Sequence, residues 1–488
     1  MKFVSTRTGI PATAPESVFQ GLAPDGGLFL PVLTDGNEDL KSQISKVSTL
    51  GEAEAFVCNA LFGDFPEEVR KDAIDRLLSR FPAEDPIPLV EKDGLHILEL
   101  FLGKTGAFKD VALSMLPVFM RYAANGKRVL ILTATSGDTG SAAMQGFAGV
   151  DGTEIIVFYP ATGTSRIQKL QMTTPSEANV HAVGIRGNFD DAQAAVKRIF
   201  ASKEINDAAA KAGITLSSAN SINTGRLIPQ IAYYILASSK LRNLKSQISD
   251  CTGACDVVVP SGNFGNILAA YYAKKLGSPI RKLVVASNVN DVLARFVKTG
   301  VYDPGDKFTV TNSPSMDIRI SSNVERLLWM INYDGDVSAA CAEVSRLMKD
   351  LKEKGRYELN EKAKARLFAD FEGGVATPEE TEAEMRRMRE ACGYLVDPHT
   401  AVATFVAKKY QNGTLRSSTS TPTSHFDLPV VVAATATPYK FPETCQRAFG
   451  ADVLTDPPPS FKDLEKLPIA QTRVCDVDKI DAEVTRLF

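Results

Sequence analysis

Residues 129–147, VLILTATSGDTGSAAMQGF, and residues 256–277, DVVVPSGNFGNILAAYYAKKLG, decide the reading of this chain. Each runs from a short apolar, β-branched stretch through a loop of Gly, Ser, Thr and Asn into an amphipathic helical pattern. A helix start leaves four backbone N–H groups without intrahelical partners, and the aligned peptide dipoles add partial positive charge there. Both loops are therefore suited to anions. In the second, Gly262 and Gly265 let bare N–H groups close round a phosphate, while Asn263 and Asn266 add side-chain donors. Neither loop is G-x-G-x-x-G, and strand-loop-helix context alone fits a tight α/β connection as well as a phosphate site.

Working outward, the same alternation recurs. VLILTA, TEIIVFY, ANVHAVGI, ACDVVVP, KLVVASN and LPVVVAATA read as strands, with helix-length amphipathic patterns between most of them. Such alternation implies α/β lobes in which parallel sheets carry helices on both faces. Before them, LFGDFPEEVRKDAIDRLLSRF has helical apolar spacing and is broken by the three prolines of FPAEDPIP, so residues 1–88 read as an N-terminal helical region. Residues 89–245 and 246–488 then form two lobes, the second with a charged helical insertion at about residues 335–392. Within it, Thr377, Pro378 and Glu380 read as an N-cap, a first-position proline and a capping-box glutamate, and the helix ends at Gly393. The run RSSTSTPTSHFD, residues 416–427, reads as a polar loop without a catalytic part.

Composition excludes several classes. A chain of 488 residues with a net charge of −3 has no basic field to attract nucleic acid or an anionic membrane. No apolar run approaches the roughly 20 residues needed to span a bilayer, and MKFVSTRTGI is not followed by a signal-length apolar stretch, so a cytoplasmic protein is expected. Seven cysteines without C-x-x-C spacing suit reduced thiols, and no histidine accompanies the close pair Cys251 and Cys255, so no metal site is expected.

The reactive candidate is Lys109 in GKTGAFKD, residues 103–110, a lysine set among small residues ahead of an apolar helical run and so able to form an imine. Gly103-Lys104-Thr105 imitates the end of a nucleotide-binding P-loop, but the required first glycine is Leu98, which excludes that cradle.

The order GKTGAFKD, TSGDTGSAA, SANSIN with Arg226, SGNFGN and ATATPYKF resembles the threonine synthase family of fold type II pyridoxal-phosphate enzymes, which are tryptophan synthase β-like. The likeness begins at STRTG and GLAPDGGLFLP, continues through GNFDDAQ and LVDPHTAVA, and covers nearly the whole chain. It departs from the family's usual pattern at Lys104 and Gly106, where GPT and a larger apolar residue are usual. It departs again at Thr437 and Tyr439, where a histidine and a small residue are usual. These changes bear on the fit around the substrate's phosphate.

The resemblance implies that Lys109 holds pyridoxal 5'-phosphate as an imine, that Gly262, Asn263, Phe264 and Asn266 surround its phosphate, and that Thr435 hydrogen-bonds the pyridine nitrogen. A hydroxyl does not stabilise a protonated pyridinium as a carboxylate does, so the ring should be a weaker electron sink, which suits prompt elimination. The expected substrate is O-phospho-L-homoserine, converted with water to L-threonine and phosphate by γ-elimination and β-addition, with Lys109 as the base. Two more anion sites are then needed. Thr135, Ser136, Asp138 and Thr139 are assigned to the substrate carboxylate, with Asp138 ordering the loop because its own charge repels that group. Asn223, Arg226 and Lys440, with Lys104 and Arg166 behind them, are assigned to the substrate phosphate. His399 is expected to pack at a helix start, and Tyr271 and Tyr272 to be core and rim. A monomer or homodimer is expected. A related phospholyase or dehydratase giving 2-oxobutyrate, and a nonenzymatic phosphate-binding α/β protein, are the alternatives.

Overall fold

The computed structural model describes residues 2–33, 38–245, 253–415, 428–450 and 453–488. The polar run at 416–427 lies outside the described residues, as does Cys251.

Two parallel sheets dominate, as the alternation of apolar runs and amphipathic helices requires. The first has five strands in the order Arg473–Asp476, Val180–Arg186, Thr153–Pro160, Arg128–Ala134 and Ile214–Ser218, every pair parallel. The second has six, Phe371–Val375, Ile280–Ser287, Cys255–Pro260, Val430–Ala434, Leu95–Glu99 and Leu89–Lys92, parallel throughout except the last pair. Their inner strands are buried along their length apart from the exposed Arg128 at one strand start, which is why they read as continuous apolar runs instead of alternating ones.

The sheets cross the division expected at residues 88 and 245. The strand Arg473–Asp476 closes the edge of the first sheet, and the hairpin Leu89–Lys92 with Leu95–Glu99 completes the second. The physical reason is that strand pairing joins segments far apart in the chain, which local patterning does not register. The N-terminal region, expected to be helical, also carries a small sheet. Phe3–Ser5 pairs antiparallel with Pro11–Ala12 and Phe29–Pro31, while helices Leu50–Leu61 and Glu67–Leu78 follow. These strands are two or three residues long, too short for period-two alternation to show.

The insertion is helical as expected, with Val337–Lys354, Glu361–Asp370 and Pro378–Cys392. Thr377 accepts from the Glu380 N–H in a capping box with Pro378 in the first turn, and Gly393 closes the helix at φ 66°. Among the described residues no helix is long and apolar enough to cross a membrane.

Candidate active site

A cleft opens where the C-terminal ends of strands from both sheets meet, the usual ligand position in open α/β sheets. Phe108, Lys109, Asp138, Thr139, Arg226, the loop 260–267, Ser315, His399 and Thr435 are among the residues lining it.

Lys109 is the first residue of the helix Lys109–Ala124. The segment before it is tied to the end of the strand Val430–Ala434: Phe108 N–H donates to Thr435 O at 2.9 Å and Thr437 N–H to Gly106 O at 3.0 Å. The Asp110 carboxylate gathers the same segment from inside by accepting from the Thr105 N–H at 2.8 Å and hydroxyl at 2.6 Å. These bonds set Lys109 beside Thr435, whose hydroxyl hydrogen-bonds to no described residue.

The electrostatics centre on Asp138. Its Oδ2 lies 3.0 Å from Lys109 Nζ and accepts from Ser315 Oγ at 3.3 Å. Its Oδ1 lies 3.0 Å from Lys440 Nζ and accepts from Gln168 Nε2 at 2.8 Å. Burial raises the Asp138 carboxyl, but Lys109 and Lys440 outweigh it and hold the group well below the usual carboxylate range. Burial lowers the Lys109 ammonium, with Asp138 opposing, so the net shift is downward, toward a neutral and nucleophilic amine.

The loop 261–266 is shaped from behind. Ser321 Oγ donates to Gly262 O at 2.9 Å, and the Asn323 backbone and side-chain N–H groups donate to Asn263 O at 3.2 and 3.1 Å. A Cβ on Gly262 would sit 2.5 Å from Ser315 O, so the chain can pass only as glycine. Phe264 adopts the left-handed conformation at φ 62° and opens the helix Gly265–Leu276 without any side-chain cap. Three buried polar atoms around it have no partner among the described residues: Arg226 Nε, Asn266 Nδ2 and Asn263 Oδ1. An unpaired buried donor costs about 1–3 kcal/mol, so the two donors among them, Arg226 Nε and Asn266 Nδ2, fit resident anions, whereas Asn263 Oδ1 is an acceptor and does not. Arg226 is 2% exposed, donates to Ala219 O at 2.6 Å, and makes no ion pair among the described residues; burial pushes it down to about 10. An uncapped helix start, an unpaired amide, a free hydroxyl and a buried amine in one cleft fit the phosphate, ring nitrogen and aldehyde of pyridoxal phosphate, which leaves the Arg226 guanidinium for a second anion.

The expected residues divide. Lys109, Gly262, Asn263, Phe264, Asn266, Thr435, Asp138, Thr139 and Arg226 line the cleft. Thr135 does not: its hydroxyl accepts from the Gly137 and Gly140 N–H groups at 2.8 and 3.0 Å and caps the helix Asp138–Phe147. Ser136 is not among the lining residues either.

For the substrate phosphate, Asn223 is corrected. It is fully buried, its amide donates to Val18 O and Ser218 O at 2.8 and 2.9 Å, and its Oδ1 caps the Gly225 N–H, leaving no free donor. Lys440 is also corrected. It is fully buried beneath the loop, bonded to Thr105 O, Gln171 Oε1 and Asp138. Lys104 is exposed and Arg166 pairs with Glu465 at 2.6 Å; neither lines the cleft.

His399 does sit at a helix start, 4.8 Å from the Phe441 ring, but it also lines the cleft. Its Nε2 accepts from the Ser315 N–H at 3.1 Å, which places the ring proton on Nδ1 toward Asp397 at 2.7 Å. Ser315 and Gln168, which position Asp138, carry no sequence signal beyond ordinary polar residues. The departures at Gly106 and Thr437 meet in one contact: a Cβ on Gly106, at φ 71°, would lie 2.6 Å from Thr437 Cγ2 and 2.7 Å from Phe461 Cζ.

Comparison with known proteins gives the family. Residues 82–369 match the model of the family described as pyridoxal-phosphate dependent enzyme, and residues 400–486 match one described as threonine synthase, C-terminal. A threonine synthase of Saccharomyces cerevisiae is 34% identical, covering 99% of this chain and 96% of its own. The crystal structure of a pyridoxal-phosphate-bound threonine synthase from Brucella melitensis superposes with a TM-score of 0.85 at 35% identity, covering 100% of this chain and 99% of that one. That of the yeast enzyme gives 0.87 at 33% identity, covering 99% and 98%.

Proposed function

Because the chain belongs to the threonine synthase family of pyridoxal-phosphate-dependent enzymes, we infer that its cleft converts O-phospho-L-homoserine and water to L-threonine and phosphate by γ-elimination and β-addition. The observation that carries this reading is the single cleft in which the buried Lys109 amine meets an uncapped helix start and the unpaired donors of Arg226 and Asn266.

Pyridoxal phosphate, when bound at Lys109, supplies a conjugated ring that takes up the electrons left at Cα as its proton departs. The loop Gly262, Asn263, Phe264 and Asn266 holds the cofactor phosphate, and the Thr435 hydroxyl meets the ring nitrogen. Lys109 Nζ, freed when the substrate amino group takes its place, removes the Cα proton and carries protons at Cβ and Cγ while phosphate leaves and water adds at Cβ. Its depressed pKa supports the base role. Asp138 holds Nζ in place by its 3.0 Å contact, and Lys440 balances Asp138 from beneath. Thr139 and the N–H groups of its loop, which Thr135 orders, receive the substrate carboxylate. Arg226 receives the substrate phosphate, its unpaired guanidinium being suited to a dianion.

Incubating the cofactor-loaded protein with O-phosphohomoserine tests the reading. Equal yields of phosphate and threonine are expected. Phosphate with 2-oxobutyrate would instead identify a phospholyase, and no turnover, with no cofactor fixed to Lys109 by borohydride, a binding protein. We further propose a cytoplasmic monomer or homodimer with no nucleic-acid partner. The free thiols of all six described cysteines support the compartment, and the near-neutral charge supports the lack of a nucleic-acid partner.

A further inference from the structure

Asn266 presents its amide nitrogen to the cleft, and something must decide that orientation, because an amide turned by half a rotation would offer an oxygen to the anion instead. Behind it stand two adjacent tyrosines of the helix Gln230–Lys245. Tyr233 and Tyr234 are almost wholly buried, with ring centroids 4.8 Å apart, and both hydroxyls donate to Asn266 Oδ1, at 2.6 and 2.7 Å. An amide oxygen has two lone pairs, so these two bonds fill it. The nitrogen is left with no partner among the described residues, buried at the wall of the cleft.

The two hydroxyls are not equivalent. Tyr233 has a second acceptor, Gln230 Oε1 at 3.1 Å, and Gln230 in turn bonds the Arg226 carbonyl oxygen through its own amide. Asn266 Oδ1 is the acceptor that the structure gives Tyr234. If Asn266 rotated, Tyr233 could still donate to Gln230, whereas the Tyr234 O–H would be buried without an acceptor. Burial raises both phenols well above their ordinary value, so both remain O–H donors at working pH.

We propose that Tyr234, seconded by Tyr233, is a positioning residue that locks the Asn266 amide with its nitrogen toward the phosphate group of the cofactor. This rests on the assignment of the 261–266 loop to that phosphate. The tyrosines touch no ligand themselves. They act by turning an amide, which accepts or donates according to its rotation, into a fixed pair of donors.

The test measures binding of pyridoxal phosphate, and of pyridoxal lacking the phosphate, to apoprotein by absorbance titration. The variants are Tyr234→Phe, Tyr233→Phe, Asn266→Ala, and each phenylalanine variant combined with Asn266→Ala. Phenylalanine keeps ring and volume and removes the hydroxyl alone. Tyr234→Phe is expected to raise the Kd for pyridoxal phosphate about tenfold and Tyr233→Phe about threefold. Neither should change the Kd for pyridoxal, and both effects should vanish in the Asn266→Ala background. A merely structural role would lower thermal stability while leaving the Kd ratio of the two ligands intact, and that result overturns the proposal. Losses that persist without Asn266 overturn it too. If Asn266→Ala itself binds pyridoxal phosphate normally, the loop assignment fails and the proposal fails with it; if Asn266→Ala weakens binding but the tyrosine variants do not, only the proposal fails.

Discussion

The two strand-loop-helix units, at 129–147 and 256–277, look alike in sequence but are finished differently. In the first, the helix start is already occupied: Thr135 accepts from the Gly137 and Gly140 N–H groups, and the buried Asp138 carboxylate is shared between two lysines, Gln168 and Ser315. In the second, the loop carbonyls are bonded from behind but no side chain caps the helix, and the donors around it are unpaired. One loop is braced by its own side chains, which take the Gly137 and Gly140 N–H groups and hold the reacting lysine, and it keeps only its remaining donors for a ligand; the other is open toward a charge the protein does not supply. A glycine-rich turn before a helix therefore states that an anion fits, and the surrounding side chains decide whether the protein has brought its own.

The strongest way to break this contrast is to open the closed loop. Asp138→Asn leaves the fully buried Lys440 without its carboxylate and removes the partner of Lys109. Breaking a buried pair on one side costs about 3–5 kcal/mol, and that loss should appear in chemical denaturation of the apoprotein. Adding Lys440→Met should recover part of it, because the uncompensated charge is gone. If Asp138→Asn is as stable as the wild type, the first loop is not held by its charges.

For the open loop the corresponding change is steric. Gly262→Ala sets a Cβ 2.5 Å from the Ser315 carbonyl oxygen, a backbone atom that cannot swing aside, so the loop must shift. A shift of that size in a phosphate cradle is expected to weaken pyridoxal phosphate binding about a hundredfold, or about 2.7 kcal/mol. Stability of the apoprotein should change less, since the groups displaced are those waiting for a ligand. Equilibrium dialysis against cofactor, set beside a thermal melt, separates the two effects.

How much of this was legible in the sequence follows the same line. The strands, the lysine, both loops and the Thr377 cap are written in local pattern, because period, β-branching and capping chemistry act over a few residues. What was not legible is which polar groups are spent. Asn223 and Arg226 lie three positions apart and read alike as phosphate donors. Yet Asn223 uses both amide donors on Val18 and Ser218, while Arg226 keeps its Nε free. Lys440 reads as a cation near a strand end and proves to be a buried strut under Asp138. Ser315 reaches Asp138 across 177 positions, and the strand Arg473–Asp476 reaches Val180–Arg186 across nearly 300. Such pairings are decided by the packed fold, and short-range spacing does not encode them.

Acid should distinguish the loops as well. The Asp138 carboxyl is depressed in the folded apoprotein relative to the unfolded chain. Its contribution is therefore fully present above the unfolded carboxylate pKa of about 3.9 and is lost as pH falls through the folded value. The stability gap between wild type and Asp138→Asn should be constant above about pH 5 and should narrow below about pH 4. Asp110, which burial raises, acts in the opposite direction, so an Asp110→Asn control should not narrow in that way. Urea denaturation at stepped pH reads both. A gap that widens on acidification would mean that Asp138 is protonated in the fold and the lysines are held by other groups.

The finest test concerns Thr135, the residue that makes the first loop self-sufficient. Thr135→Val keeps the β-branched shape and removes the oxygen that accepts from two backbone N–H groups, both in a buried turn. The loss of such a cap is typically about 1 kcal/mol, and two stranded N–H groups put this site at the upper end, about 2 kcal/mol. If the loop's acceptor is its own hydroxyl, the variant loses stability and its affinity for pyridoxal phosphate stays at the wild-type value, since that phosphate belongs to the other loop. Weakened cofactor binding with unchanged stability would reverse the roles of the two loops, because it would show the Thr135 hydroxyl answering to the ligand and not to its own helix.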